Sequence, residues 1–226
     1  MKYIFIIIIG LFSGAFYAQD SAQDLLNKVV EKTSLVNDYS ASVLIKPDVP
    51  MIKSLPVKAK IYFKKKDKFK VVSKSIAILP KQGFTDVNIF LSNPKNYMVV
   101  EAGTKMINNT NTRLLTVIAN ESSSEIILAK LYVHPVHHVI LESEITTRSS
   151  GTVKVNYQYS TQLSYGLPSQ IKFTVDVKEF KMPKSFSTNP HKSSTSKKKQ
   201  RKTGTIVLTI TNYIVNKGVS DSIFQK

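Results

Sequence analysis

The chain has 226 residues and a formal net charge of +17, carried by 29 Lys against 3 Arg. It has no cysteine, which excludes disulfides, thiolate metal ligation and lipid attachment to a cysteine behind a leader. A lysine excess gives a diffuse field toward anions, whereas bidentate readout of phosphates or base edges uses arginine.

Lys2 precedes an apolar stretch from Tyr3 to Phe16, with the small residues Gly14, Ala15 and Ala18 at its end. This predicts an export leader cleaved after Ala18. The stretch is too short for a membrane span, which needs about 20 residues. The expected location is the periplasm, with the protein soluble and not lipid-anchored. About 208 residues (19–226) then remain, enough for one domain with its own core.

Ser21 to Asn37 is expected to form one amphipathic helix. Ser21 and Asp24 make a start like a capping box, and Leu25, Leu26, Val29, Val30 and Leu35 share a face. The first strand runs from Tyr39 to Lys46, with Pro47 and Pro50 as breakers. Val57–Lys65 and Phe69–Ser75 form a hairpin around Lys66-Asp67, a charged turn suited to solvent. Lys64, Lys65, Lys66, Lys68 and Lys70 cluster there. Residues 75–84 lack alternation and end in Pro80, Gly83 and Phe84, which suggests a short helix or loop covering the sheet. As a lid, this segment would use Ile76, Ile78, Leu79, Pro80 and Phe84.

Asn88–Leu91, Tyr97–Glu101 and Leu114–Ala119 are the next expected strands, the last two separated by an Asn-rich stretch at 108–112. Glu125–Val133 fits a helix or a strand, and periodicity leaves both open. Val139–Thr147, Val153–Tyr159, 170–179 and 204–216 complete the strands, several of them with strict period-2 alternation. Residues 181–203 hold eight positive charges, no acidic one, and Ser, Thr, Pro and Asn between them. Such a segment buries too little apolar surface to order itself.

Few constellations carry chemistry. His134, His137 and His138 would need to converge to hold a metal, and Pro135 prevents a helical display. Glu142 and Glu144 share one strand face, where paired carboxylates serve acid/base work or simply solubilise. No nucleophile elbow, phosphate loop, dinucleotide fingerprint or zinc-protease motif is present. The expectation is therefore a protein that is not an enzyme, with no cofactor and no metal. Lys197, Lys198, Lys199, Arg201 and Lys202 could touch an anionic membrane surface. They lack the interleaved aromatics that single-stranded nucleic acid would need, so nucleic acid is not an expected partner.

Four segments carry a family resemblance. They are Asp24-Leu25-Leu26-Asn27-Lys28-Val29, Tyr39-Ser40-Ala41, the hairpin Lys60 to Phe69, and the ending Tyr213 to Phe224. In this order they resemble the periplasmic outer-membrane lipoprotein carriers (LolA-like proteins), in divergent form. The resemblance implies a mainly β, α+β fold: an incomplete antiparallel β-barrel, a curved sheet wrapped over an N-terminal helix and short lid helices. It also implies a monomeric carrier for an acylated ligand, lipoprotein or lipid. Membrane-bound proteins would donate and accept that ligand.

Alternation then gives the inward set: Val43, Ile45, Ala59, Ile61, Phe63, Phe69, Val71, Met98, Val100, Val155, Tyr157, Phe173, Val175, Ile206, Leu208 and Ile210. An acyl chain sheltered there gains about 0.8 kcal/mol per buried methylene. A filled barrel needs the same alternation as an open cavity. Two readings from other classes stay open at this point: an envelope-stress sensor or regulator acting by protein contact, and a polyanion-binding surface protein using residues 181–202.

Overall fold

Ten antiparallel strands form a single sheet in the computed structural model, which describes residues 21–50, 55–66, 68–75, 86–149, 151–176 and 203–225. The leader, the expected lid residues Ile76, Ile78, Leu79, Pro80 and Phe84, and the basic residues Lys197 to Lys202 lie outside the described residues.

Helix α1 spans Ala22–Ser34. Ser21 caps it, accepting from the Asp24 amide at 3.1 Å and donating its hydroxyl to the Asp24 carboxylate at 2.7 Å. A carboxylate in the first turn also suits the helix dipole. Leu25, Leu26 and Val29 are buried, each stabilising by about 1.5–3 kcal/mol. The helix ends before Leu35, three residues short of the expected end at Asn37.

The strands are β1 (Asp38–Asp48), β2 (Val57–Lys64), β3 (Lys68–Ser73), β4 (Tyr97–Ile107), β5 (Thr110–Ala119), β6 (Ile126–His134), β7 (Val139–Thr147), β8 (Gly151–Tyr159), β9 (Pro168–Asp176) and β10 (Thr203–Val215). Their order in the sheet is β3-β2-β1-β10-β9-β8-β7-β6-β5-β4. The first and last strands of the sequence therefore pair at Tyr39–Val215 and onward, while β3 and β4 are the outermost strands among the described residues. The sheet is a barrel that does not close, the predicted fold class.

Several elements differ from expectation, each for a physical reason. Strand β1 continues through Pro47. Its pairing with β2 stops at Ile45–Val57, so beyond that point β1 is a local edge where a missing N–H costs no ladder bond. Asn88–Leu91 is not a strand but part of helix α2, Asp86–Leu91; Val87, Phe90 and Leu91 are buried at helical spacing. The segment from Glu125 is strand β6, held between β5 and β7. Strands β4 and β5 extend to a two-residue turn, Asn108-Asn109, with φ of 48° and 61°. Two positive φ values in a row define the turn that matches strand twist, and Asn tolerates them.

Met98 and Val100 were expected to face inward. They are 54% and 51% exposed. Tyr97 sets the phase: it is buried at 3%, and its hydroxyl donates to the Leu91 carbonyl at 3.1 Å. Residues 98 and 100 must then face out.

One apolar cluster joins α1 and α2 to the inner face of the sheet. Asn216, with φ 55°, fastens the end of β10 to the end of α1. Its Oδ1 accepts from the Asn37 amide at 2.7 Å and its Nδ2 donates to the Leu35 carbonyl at 2.8 Å. Among the described residues no helix is long and apolar enough to cross a membrane.

Candidate functional site: an apolar cavity under the N-terminal helix

Antiparallel pairing brings the start of β1, β3 and β9 to the same end of the sheet as the finish of β2, β8 and β10. At that end the core does not close. A cavity of about 300 Å³ remains, at the small end of the usual range for ligand pockets, about 300–1,000 Å³. Helix α1 forms one wall with Val29, Val30 and Thr33, and α2 contributes Val87 and Leu91. The sheet contributes Tyr39, Phe63, Phe69, Ile140, Tyr157, Tyr159, Ile171, Ile210 and Tyr213, with Leu167 and Pro168 beside them.

The aromatic wall is ordered by ring contacts. Tyr39 stacks on Phe63 with centroids 5.3 Å apart and meets Tyr213 edge-on at 5.5 Å. Such pairs are worth about 0.5–1.5 kcal/mol beyond their buried area. Burial raises the pKa of Tyr39, Tyr159 and Tyr213 and pushes that of Tyr157 up to about 12. These phenols therefore stay neutral donors in ordinary conditions.

Three of the four hydroxyls are already used. Tyr159 donates to the Ile140 carbonyl at 2.9 Å and Tyr213 to the Pro168 carbonyl at 2.9 Å. Tyr157 shares a bond of 3.2 Å with the Ser143 hydroxyl. Gly166, with φ 65°, lets its turn approach α1 closely; a Cβ there would lie 3.2 Å from Thr33 Cγ2.

The polar residues of the lining include Lys65, Lys66 and His138, and no carboxylate is among its described residues. Lys66 has φ 71° in the three-residue turn between β2 and β3. Asp221 of the C-terminal tail holds Lys64 at 3.0 Å and Lys68 at 2.8 Å. These contacts, with the nearby Lys70 bond to the Gln225 carbonyl at 2.9 Å, hold the hairpin to the C-terminal tail.

Of the inward set, Phe63, Phe69, Tyr157 and Ile210 line the cavity. Val43, Ile45, Ala59, Ile61, Val155, Phe173, Val175, Ile206 and Leu208 are buried in solid core beside it, and Val71 is half-buried against that core. Met98 and Val100 lie on the outer face. Sequence reading missed Tyr39, Tyr159 and Tyr213 as cavity residues. The available signal was a tyrosine near the same sheet end on β1, β8 and β10, visible only once strand order is known.

The other candidates stand apart from the cavity or at its rim. His134 Nδ1 accepts from the amides of Val136 and His137, both at 3.2 Å, so it caps its own turn. Its pKa is lowered by burial, then by neighbouring His137, His138 and Lys32. Lys32 of α1 donates to the His137 carbonyl and ties the helix to that turn. Among the described residues no group of three His, Cys, Asp or Glu is placed to hold a metal. Glu142 is not a solubilising side chain. It is buried, contacted by Lys105 and Lys154 at 2.8 Å each and by Asn156 Nδ2 at 2.7 Å.

No protein-family model matches the chain, and no characterised protein matches it by sequence. Solved structures do match over nearly its whole length. A DUF1329 family protein from Desulfovibrio piger has 12% identity and a TM-score of 0.57, covering 91% of this chain and 98% of that one. A LolA superfamily protein from Nitrosomonas europaea has 14% identity and a TM-score of 0.55, covering 92% and 98%. An outer membrane lipoprotein-sorting protein domain from Vibrio parahaemolyticus has 10% identity and a TM-score of 0.56, covering 90% and 97%. The chain therefore carries the LolA-like fold.

Proposed function

We propose that this chain is an exported, periplasmic carrier or binding protein that shelters the acyl chain of a lipid or lipoprotein and moves it toward the outer membrane. The observation that carries this reading is the cavity itself. A filled barrel would close both ends of the sheet, yet one end keeps about 300 Å³ open between α1 and an aromatic wall. Apolar lining with three hydroxyls turned to backbone or Ser143 suits an aliphatic chain. The match in fold to a lipoprotein-sorting domain supports the same reading.

Blocking the cavity tests it. Leu167 is half-buried and lines the cavity, so Leu167→Trp fills space at modest strain, about 1–3 kcal/mol at most. A fluorescent fatty-acid probe should bind the wild type with a one-to-one stoichiometry and lose at least tenfold in affinity on this substitution. Equal binding by both proteins would place the probe elsewhere and contradict the reading.

A further inference from the structure

The cavity holds a polar feature that an acyl chain alone does not explain. Tyr39 is 8% exposed and lines the cavity, and among the described residues its hydroxyl has no hydrogen-bond partner. Its three tyrosine neighbours are all bonded. A buried phenol left unpaired costs free energy, so such groups are uncommon and call for an account. At the same cavity, Lys65 and Lys66 have no carboxylate partner among the described residues, while their neighbours Lys64 and Lys68 share Asp221. Among the described residues the lining thus combines one spare buried donor, two exposed lysines without a carboxylate partner, and no acid.

We propose that the cavity selects a single-chain amphiphile with an anionic head, the tail lying against α1 and Ile210 and the head meeting the Tyr39 hydroxyl and the ammonium groups of Lys65 and Lys66. This rests on the acyl-binding reading above and narrows it. The small volume admits one chain more readily than several. Tyr39 donates to a head oxygen, and Lys65 and Lys66, both exposed at the rim, add an attraction that solvent and salt screen in part. A carboxylate and a phosphate share this chemistry.

Competition with the fluorescent probe separates the possibilities. The competitors are dodecanoate, dodecyl phosphate and methyl dodecanoate, the last keeping the tail and carbonyl but losing the charge. Measurements use the full chain expressed with its own N-terminal segment, at low ionic strength and mildly alkaline pH. At least one anion should bind about tenfold more tightly than the ester, the effect of a charge-assisted hydrogen bond. The tighter anion names the head. In Lys65→Gln/Lys66→Asn the anion and ester should bind alike, with ester affinity kept as proof of an intact cavity; Asn tolerates the positive φ at 66.

Tyr39→Phe should weaken anion binding severalfold while the ligand-free protein melts no lower than wild type, because no bond is lost. A melting point lowered by Tyr39→Phe with anion affinity unchanged would show a structural hydroxyl and overturn the assignment. Equal affinity for ester and anions in the wild type would overturn the head-group inference and leave the carrier reading standing. Failure of all three competitors, and of the probe, would overturn both.

Discussion

Glu142 shows how a single side chain is kept charged in a protein that is otherwise strongly basic. Burial alone would raise its pKa, but hydrogen bonds from Lys105, Lys154 and Asn156 outweigh that, and the net shift is downward from 4.5. A carboxyl with a depressed folded pKa contributes stability that is present above its unfolded value and lost as pH falls through the folded one. The protein should therefore lose stability on acidification below about pH 4.5. Glu142→Gln should remove part of that acid sensitivity and cost about 1–3 kcal/mol at neutral pH. The loss is smaller than for a fully buried pair because Lys105 and Lys154 are 42% and 40% exposed and screened by solvent. Thermal melts of both proteins across acid to neutral pH check it; parallel curves would contradict it. In the sequence Glu142 was readable only as one of two carboxylates on a strand face. Its lysine partners come from β4 and β8, so its burial could not be read locally.

The edge strand β4 shows why some elements were legible and others were not. Strands β8 and β10 were placed within two residues, because buried apolar residues alternate with polar or exposed ones through their central part. Tyr97-Met98-Val99-Val100 is apolar throughout, so its phase is not in the sequence. The phase comes from a tertiary contact, Tyr97 to the Leu91 carbonyl. Helix α2 was missed for a related reason: six residues are too few for period 3.6 to stand out from period 2. The assigned phase makes a sharp contrast testable. Met98→Ser and Val100→Ser should change stability by no more than about 0.5 kcal/mol, as exposed substitutions do. Tyr97→Ala should cost about 3–5 kcal/mol, as for a large buried aromatic. Denaturant melts decide this, and a larger loss at Met98 than at Tyr97 would reverse the phase.

At the scale of the whole molecule, one sheet does two jobs. Toward the end where Ile45, Ile206 and Val175 lie, side chains fill the space and hold the fold. Toward the other end, α1 spans the gap and leaves a chamber walled by aromatics and bordered by lysines. Alternation announced the sheet and its apolar face, but it cannot tell a filled end from an open one, since both need the same residues. The helix contributes to this division. Its cap and its buried Leu25, Leu26 and Val29 fix it on the sheet, and Lys32 and Asn216 hold its far end. The chamber persists because both ends of its cover are tied down.

Native mass spectrometry of the protein purified from a bacterial periplasm, followed by organic extraction of any bound mass, tests the central claim most directly. An acyl-bearing ligand at near one per chain is the predicted result. An unliganded mass that also takes up no added fatty acid would contradict it.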